Sequence, residues 1–215
     1  MTKLTGQQIA DAGLEGWANL GWSLRTRVAT GDFAAGLALV EKIGAVAEAR
    51  NHHPDVDLRY PHVDVALRSH DADGVTERDV DLAREISRLA ADAGLALDPT
   101  HSAVLDLALD TPAHGGVKPF WRALLDYQDR PGMDDEIQDP AGALPALWFQ
   151  RSGSDEPRQR WHFDIWVDPS QVQRRIDAAL AAGGTLSDDE QAPAFWVLAD
   201  PEGNRVCLCT WQERG

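Results

Sequence analysis

Between residues 33 and 93 the apolar residues change period twice, which limits the chain to a fold that lays helices against a sheet. After the turn at Gly31-Asp32, Phe33, Leu37, Val40, Ile43 and Val46 recur at three- and four-residue steps. With Asp32 placed to cap the first turn, this predicts a helix with one buried stripe. Past His52-His53-Pro54 the period drops to two, with Val56, Leu58 and Tyr60 on one face and then Val63, Val65 and Leu67 after Pro61. Two strands with a tight connection follow from that alternation. Thr76-Glu77-Arg78-Asp79 reads as a capping box, which opens a second helix through Val80, Ala83, Ile86, Leu89 and Ala93 and ends it near Gly94. A helix at Leu4 to Ala12 and strand-like runs at Trp17 to Asn19 and Trp22 to Ala29 precede these elements.

Around Leu97-Asp98-Pro99-Thr100 the pattern stops, then restarts with a strand at Val104 to Leu109 and a helix near Pro119 to Tyr127. The stretch Gln128 to Pro145, rich in Asp, Pro and Gly, reads as a long loop. Strands are predicted at Pro145 to Arg151 and Trp161 to Val167, a helix at Pro169 to Ala182, and strands at Phe195 to Leu198 and Arg205 to Trp211. Strand, helix and strands thus occur twice, as in a domain built from two similar halves. A chain of 215 residues accommodates two domains, and the break divides it into 1–98 and 101–215.

The formal net charge of -15 argues against nucleic acid or an anionic membrane as the main partner, because both require clustered Lys and Arg. No run of about 20 apolar residues is present and MTKLTGQQIADAG has no signal-like apolar core, so a cytoplasmic address is expected. Cys207 and Cys209 have no second pair or neighbouring histidine in sequence, and they read as packing residues.

Four of the seven histidines fall between positions 52 and 70. His52 and His53 sit at a helix-to-strand junction, where adjacent side chains can face one cleft, and His70 lies just past the following strand pair. Histidine is both acid and base near neutral pH, so such a cluster can eliminate water without a cofactor. Two other readings stay open, a metal site and an incidental surface cluster. The His-His-Pro spacing fits the first poorly. Asp79 has its own alternative as a helix cap only, and His62, beside Pro61, reads as an exposed turn residue.

Glu48-Ala-Arg-Asn-His52-His53-Pro54, then Tyr60, His70 and Asp79 in Thr-Glu-Arg-Asp, resembles the signature of the pterin-4a-carbinolamine dehydratases. The resemblance implies a four-stranded antiparallel sheet with helices on one face, assembly as a dimer or tetramer, and dehydration of 4a-hydroxytetrahydropterin to quinonoid dihydropterin with no cofactor. It implies His52, His53 and His70 as acid/base residues, with His52 and His70 moving protons and His53 holding the ring. Asp79 would orient a histidine, and Glu48, Asn51, Ser69 and Asp71 would lie near the pterin. Val56 stands where many members of the family carry tryptophan, a loss of stacking on the order of 1 kcal/mol.

The second half resembles the glyoxalase-like domains of the vicinal oxygen chelate superfamily, in its repeated strand-helix-strands order, in His162-Phe-Asp-Ile-Trp-Val-Asp168, and in Ala199-Asp-Pro-Glu-Gly-Asn204, and the resemblance implies a domain of two βαβββ halves. Metalloenzymes of that superfamily place His or Glu ligands on the first and last strands of each half. Here His162 alone is ligand-like, the first strand offers Ala103 or Val104, and Cys207 stands where glutamate is usual, so the expectation is a metal-free domain. Six of the eight tryptophans lie in this half, at 121, 148, 161, 166, 196 and 211. They either fill a core or line a pocket for a flat ligand, with Trp148 as a wall and His162 or Asp164 as polar anchor. A binding protein using that pocket is the alternative to the enzyme.

Overall fold

The computed structural model describes residues 2–152, 161–199, 203 and 205–214. The chain divides into two compact units, residues 1–103 with 167–171 and 210–215, and residues 104–166 with 172–209.

In the first unit the elements run α1 (Gly6–Asp11), β1 (Ala18–Leu20), β2 (Ser23–Ala29), α2 (Phe33–Arg50), β3 (Asp55–Arg59), β4 (His62–Leu67), α3 (Glu77–Asp92) and β5 (Ala96–Asp98). The sheet is antiparallel throughout, in the order β1-β2-β4-β3. The expected four strands gain a fifth, β5, which pairs with Arg27 to Ala29 of β2 while β1 pairs with Ser23 to Arg25. Leu24 and Val28 of β2 and Val63, Val65 and Leu67 of β4 turn to one face, where Leu39 and Ile43 of α2 and Val80, Ala83, Ile86 and Ala90 of α3 complete the core. The opposite face is polar and carries the Arg27–Asp64 ion pair. This is an α+β architecture with helices on one side of the sheet.

The buried stripe of α2 differs from the predicted one. Gly36, Leu39, Ile43 and Ala47 are buried, Val40 and Val46 are partly so, and Phe33 and Leu37 are about half exposed. Small residues select this face because they let the helix approach the sheet closely. A Cβ at Gly36 would lie 2.7 Å from Leu58 Cδ1.

The second unit contains β6 (Val104–Thr111), α4 (His114–Leu125), β7 (Gln128–Asp129), β8 (Glu136–Gln138) and β9 (Leu147–Arg151), then β10 (Trp161–Trp166), α5 (Val172–Ala181), β11 (Thr185–Asp188), β12 (Phe195–Ala199) and β13 (Arg205–Cys209). Each half is βαβββ, and together they form a sheet in the order β11-β12-β13-β10-β6-β9-β8-β7. The first strand of each half pairs with the last strand of its own half in parallel, and β6 pairs with β10 antiparallel. The stretch read as a loop, 128–145, contains β7 and β8, and α4 begins at His114 with Pro119 inside it. Leu107, Leu109, Leu147 and Phe149 face α4 and pack with Val117, Trp121, Leu125, Tyr127 and Ile137. Of the Ala199 to Asn204 motif, residues 200–202 and 204 lie outside the described residues.

Two glycines give opposite expectations. Gly16 has a left-handed φ of 80°, and a Cβ there would lie 2.6 Å from Leu97 Cβ on β5. Gly44, within α2, faces open space. In chemical denaturation Gly16→Ala should cost about 1–3 kcal/mol, and Gly44→Ala should gain up to about 1 kcal/mol. A neutral Gly16→Ala would show that β5 does not press on this turn.

Candidate active site

Two of the first unit's candidate residues, His52 and Ser69, meet at a third, the buried carboxylate of Asp79. Asp79, at the third position of α3, is fully buried. Its Oδ2 accepts hydrogen bonds from Thr76 N (2.7 Å) and Ser69 Oγ (2.7 Å), and its Oδ1 lies 2.7 Å from His52 Nε2. The two readings of Asp79, as helix cap and as histidine partner, are therefore served by separate oxygens of one group. Ser69 spends its only proton on Asp79, so Thr76 Oγ1, 2.8 Å from Ser69 Oγ, donates to that hydroxyl while it accepts from Arg78 N (3.2 Å). A buried carboxylate persists only when donors replace its water, and here two side chains and one backbone amide do so.

His52 is held from both sides. α2 ends at Asn51, in left-handed conformation (φ 47°), and His52 N donates to Ala47 O (3.1 Å), which turns the chain inward at that point. With Nε2 turned to Asp79 Oδ1, the ring's second nitrogen is Nδ1. His53, one residue on, is exposed, and its Nε2 lies 3.1 Å from Glu48 Oε1. At the other end of the network, Ser69 N donates to Gly74 O (2.9 Å), closing a turn whose 3-10 segment, His70–Ala72, begins with the exposed His70. Asp79 thus ties residues 52 and 69 together, and each is followed by an exposed histidine.

The remaining candidates are placed as follows. Asp71 pairs with Arg78, whose guanidinium holds that exposed carboxyl below its usual range. Asn51 serves as the helix cap, and Ser69, buried, stands behind His70 in the network. Val56, partly buried, packs against the core opposite Val65. His62 lies 3.6 Å from Asp64 on β4, in a strand and away from the network. The Asp79 network extends to Thr76, whose second role beyond capping depends on tertiary contacts that spacing does not display.

In the second unit the strand register sorts side chains onto two faces. Away from α4 lie Asp106, Ala108 and Asp110 of β6, Trp148 of β9, and His162, Asp164 and Trp166 of β10. Trp148 Nε1 donates to Asp164 Oδ2 (3.1 Å), and its ring meets the His162 ring edge-on at 5.9 Å. Trp166 Nε1 donates to Asp106 Oδ2 (3.0 Å). Trp121 and Trp161 instead pack on each other, edge to face, on the helix side. The tryptophans therefore divide between core and polar face. Cys207 stands opposite Asp164 in the pairing of β10 and β13. The ligand-capable atoms of His162, Asp164 and Cys207 all lie within 4.8 Å of one another.

Residues 2–89 match the family described as pterin 4 alpha carbinolamine dehydratase. A Nocardia farcinica protein named, provisionally, as a pterin-4-alpha-carbinolamine dehydratase is 42% identical over 89 residues, which are 40% of this chain and 94% of the relative. The chain belongs to the pterin-4a-carbinolamine dehydratase family. A similarly named protein of Acidobacterium capsulatum is 42% identical over 91 residues, 41% of this chain and 99% of the relative. The dehydratase-family unit is followed by a match of residues 106–209 to the glyoxalase-like domain family. Among solved structures, a transcriptional coactivator/pterin dehydratase from Brucella melitensis covers 41% of this chain and 99% of its own, at 29% identity and a TM-score of 0.40. A glyoxalase/bleomycin resistance protein/dioxygenase superfamily member from Vibrio splendidus covers 51% and 99%, at 15% identity and a TM-score of 0.33.

Beyond the dehydratase-family unit, burial raises Asp106 to about 6, aided by the nearby charge of Glu136 and opposed by the Trp166 hydrogen bond. The unfolded chain releases this proton near 3.8, so the folded state binds more protons in between and loses stability as pH rises from about 4 to 6. The full cost, about 3 kcal/mol, is present above pH 6. Asp106→Asn keeps an oxygen for Trp166 and has no charge to bury. Measured with a chelator present, its stability relative to wild type should rise between pH 4 and 6.5 and then level off. A difference that does not vary with pH would rule out the raised carboxyl.

Proposed function

We propose that the dehydratase-family unit, residues 1–98, removes water from 4a-hydroxytetrahydropterin to give quinonoid dihydropterin, and that residues 101–215 form an accessory glyoxalase-like domain. The observation that carries this reading is the hydrogen bond between His52 and buried Asp79, within a network that also holds the residue preceding His70. The likeness to proteins named as dehydratases supports it.

The chemistry asks for two groups. As the C4a–O bond breaks, one must protonate the departing hydroxyl, while the other takes the proton from the adjacent ring nitrogen. His52 suits the base, because Asp79 fixes its tautomer with Nδ1 as acceptor and stabilises the imidazolium that forms. His70, exposed at the start of its turn, suits the acid. His53 and Glu48, exposed and bonded to each other, suit a polar hold on the pterin ring, with Asn51 and Asp71 at its margin. Ser69 acts through Asp79 as a positioning residue. No metal or cofactor is required for the step. The half-exposed Phe33 and Leu37 on α2 support assembly as a dimer or tetramer, since apolar side chains on a helix surface gain from being covered.

A second reading, a binding protein for flat small molecules, draws on Trp148 with His162 and Asp164 in the second unit. The rate of dehydration in the full-length protein separates the two. His52→Ala and His70→Ala should each lower kcat by about 100-fold or more, His53→Ala should mainly raise KM, and Asp79→Asn should lower kcat with KM little changed. His62→Ala should leave both constants within about twofold of wild type. Wild-type protein that does not accelerate dehydration above the spontaneous rate would defeat the enzymatic reading.

A further inference from the structure

Two neighbouring residues in the first turn of α3, Arg78 and Asp79, reach the turn that carries His70. Asp79 accepts from Ser69 Oγ (2.7 Å), and Arg78 donates from Nη2 to Asp71 Oδ1. Ser69 and Asp71 are the residues on either side of His70. At the base of the turn Ser69 N donates to Gly74 O (2.9 Å), and Arg68 pairs with Asp73, whose φ of 47° lies in the left-handed region. We infer that Arg78 is a positioning residue for His70: with Asp79 it fastens both neighbours of that histidine to the start of α3.

The inference rests on the reading of His70 as the acid of the dehydration. An ion pair at a protein surface contributes little to stability, because water screens it and two long side chains lose freedom in forming it. The worth of the Arg78–Asp71 pair therefore lies in where it holds the chain. His70 is exposed and takes no rigidity from packing. With Ser69 alone fastened, the backbone beyond it can swing, whereas a second hold at Asp71 fixes the Cα of residue 70 between two tied points. A proton donor is effective only when it stays within reach of the departing oxygen. The base of the hold is firm. Arg78 N donates to Thr76 Oγ1 (3.2 Å), and Val80, Leu82 and Ala83, the next turn of the helix, are fully buried. The hydrogen bond from Arg78 also keeps the Asp71 carboxyl below its usual range, so the pair stays charged where histidine changes its protonation. A guanidinium presents its donors in a rigid planar fork, which an ammonium does not reproduce.

The test uses full-length protein and reads the rate of dehydration beside amide hydrogen exchange. Arg78→Ala should lower kcat about tenfold with KM within about twofold of wild type, and Arg78→Lys should recover part of the loss. In protein that already carries His70→Ala, adding Arg78→Ala should leave the residual rate within about twofold, because Arg78 acts through that imidazole. The amides of Ala72 and Asp73 should exchange about tenfold faster in Arg78→Ala, with those of β4 unchanged. Asp71→Asn breaks the same pair from its other end and should match Arg78→Ala in kcat, which covers the case in which the latter fails to fold. Arg88→Ala, which removes exposed pairs with Glu85 and Asp92 on the same helix, should change neither readout. In active protein, an Arg78→Ala variant that keeps the wild-type kcat, or that loses as much rate without His70 as with it, would overturn the inference. Inactive wild-type protein would defeat the reading of His70 as an acid; faster exchange of the turn in Arg78→Ala would then still support the hold, and unchanged exchange would overturn it.

Discussion

The carboxylate of Asp79 is the constraint on which the first unit's arrangement depends. It is a charge without water, and it is stable only because His52, Ser69 and the Thr76 backbone deliver hydrogens to it. Those donors come from three places in the chain, the end of α2, the exit of β4 and the start of α3. Satisfying one buried ion therefore fixes how a helix leaves the sheet, how a strand ends and where the next helix begins. The exposed histidines at 53 and 70 inherit their positions from this closure.

That dependence explains which parts of the first unit were legible in the residues. The capping box at Thr76 and Asp79 is local, written in four consecutive positions, and the structure contains it. The bond to His52 is not local: it spans 27 positions, and it exists because Oδ1 is left over after Oδ2 has capped the helix. Spacing could suggest both roles and could not join them. The stripe on α2 shows the same limit from another side. Phe33 and Leu37 fit a helical period as well as Gly36 and Leu39 do, and a rule that counts large apolar residues prefers the first pair. Close approach to Leu58 decides for the second, because only a residue without a side chain fits there. β5 was hidden for a related reason, since a three-residue strand has too few positions to show a period and takes its pairing from β2, about 70 residues away.

In the second unit the doubled order of strand, helix and strands could be read along the chain, because it needs only the sequence of element types. β7, β8 and β11 could not, being two to four residues long and exposed or irregular in pattern. The tryptophans mark the boundary of what composition says. Trp121 and Trp148 are the same residue type within one half, yet the first packs against Trp161 under a helix and the second hydrogen-bonds a carboxylate on the opposite face. A strand's alternation assigns each residue to a face, but only pairing with neighbours says which face is polar.

The two units each set a histidine beside an aspartate, and the surroundings give the pairs different chemistry. Asp79 is saturated by donors at short distance, so His52 meets a fixed partner that orients its ring. Asp164 receives an indole N–H on one oxygen, its other oxygen lies at 3.4 Å from His162, and a thiol stands across the strand pair. That geometry is too loose for a strong hydrogen bond, so Asp164 constrains the His162 ring less tightly than Asp79 constrains that of His52.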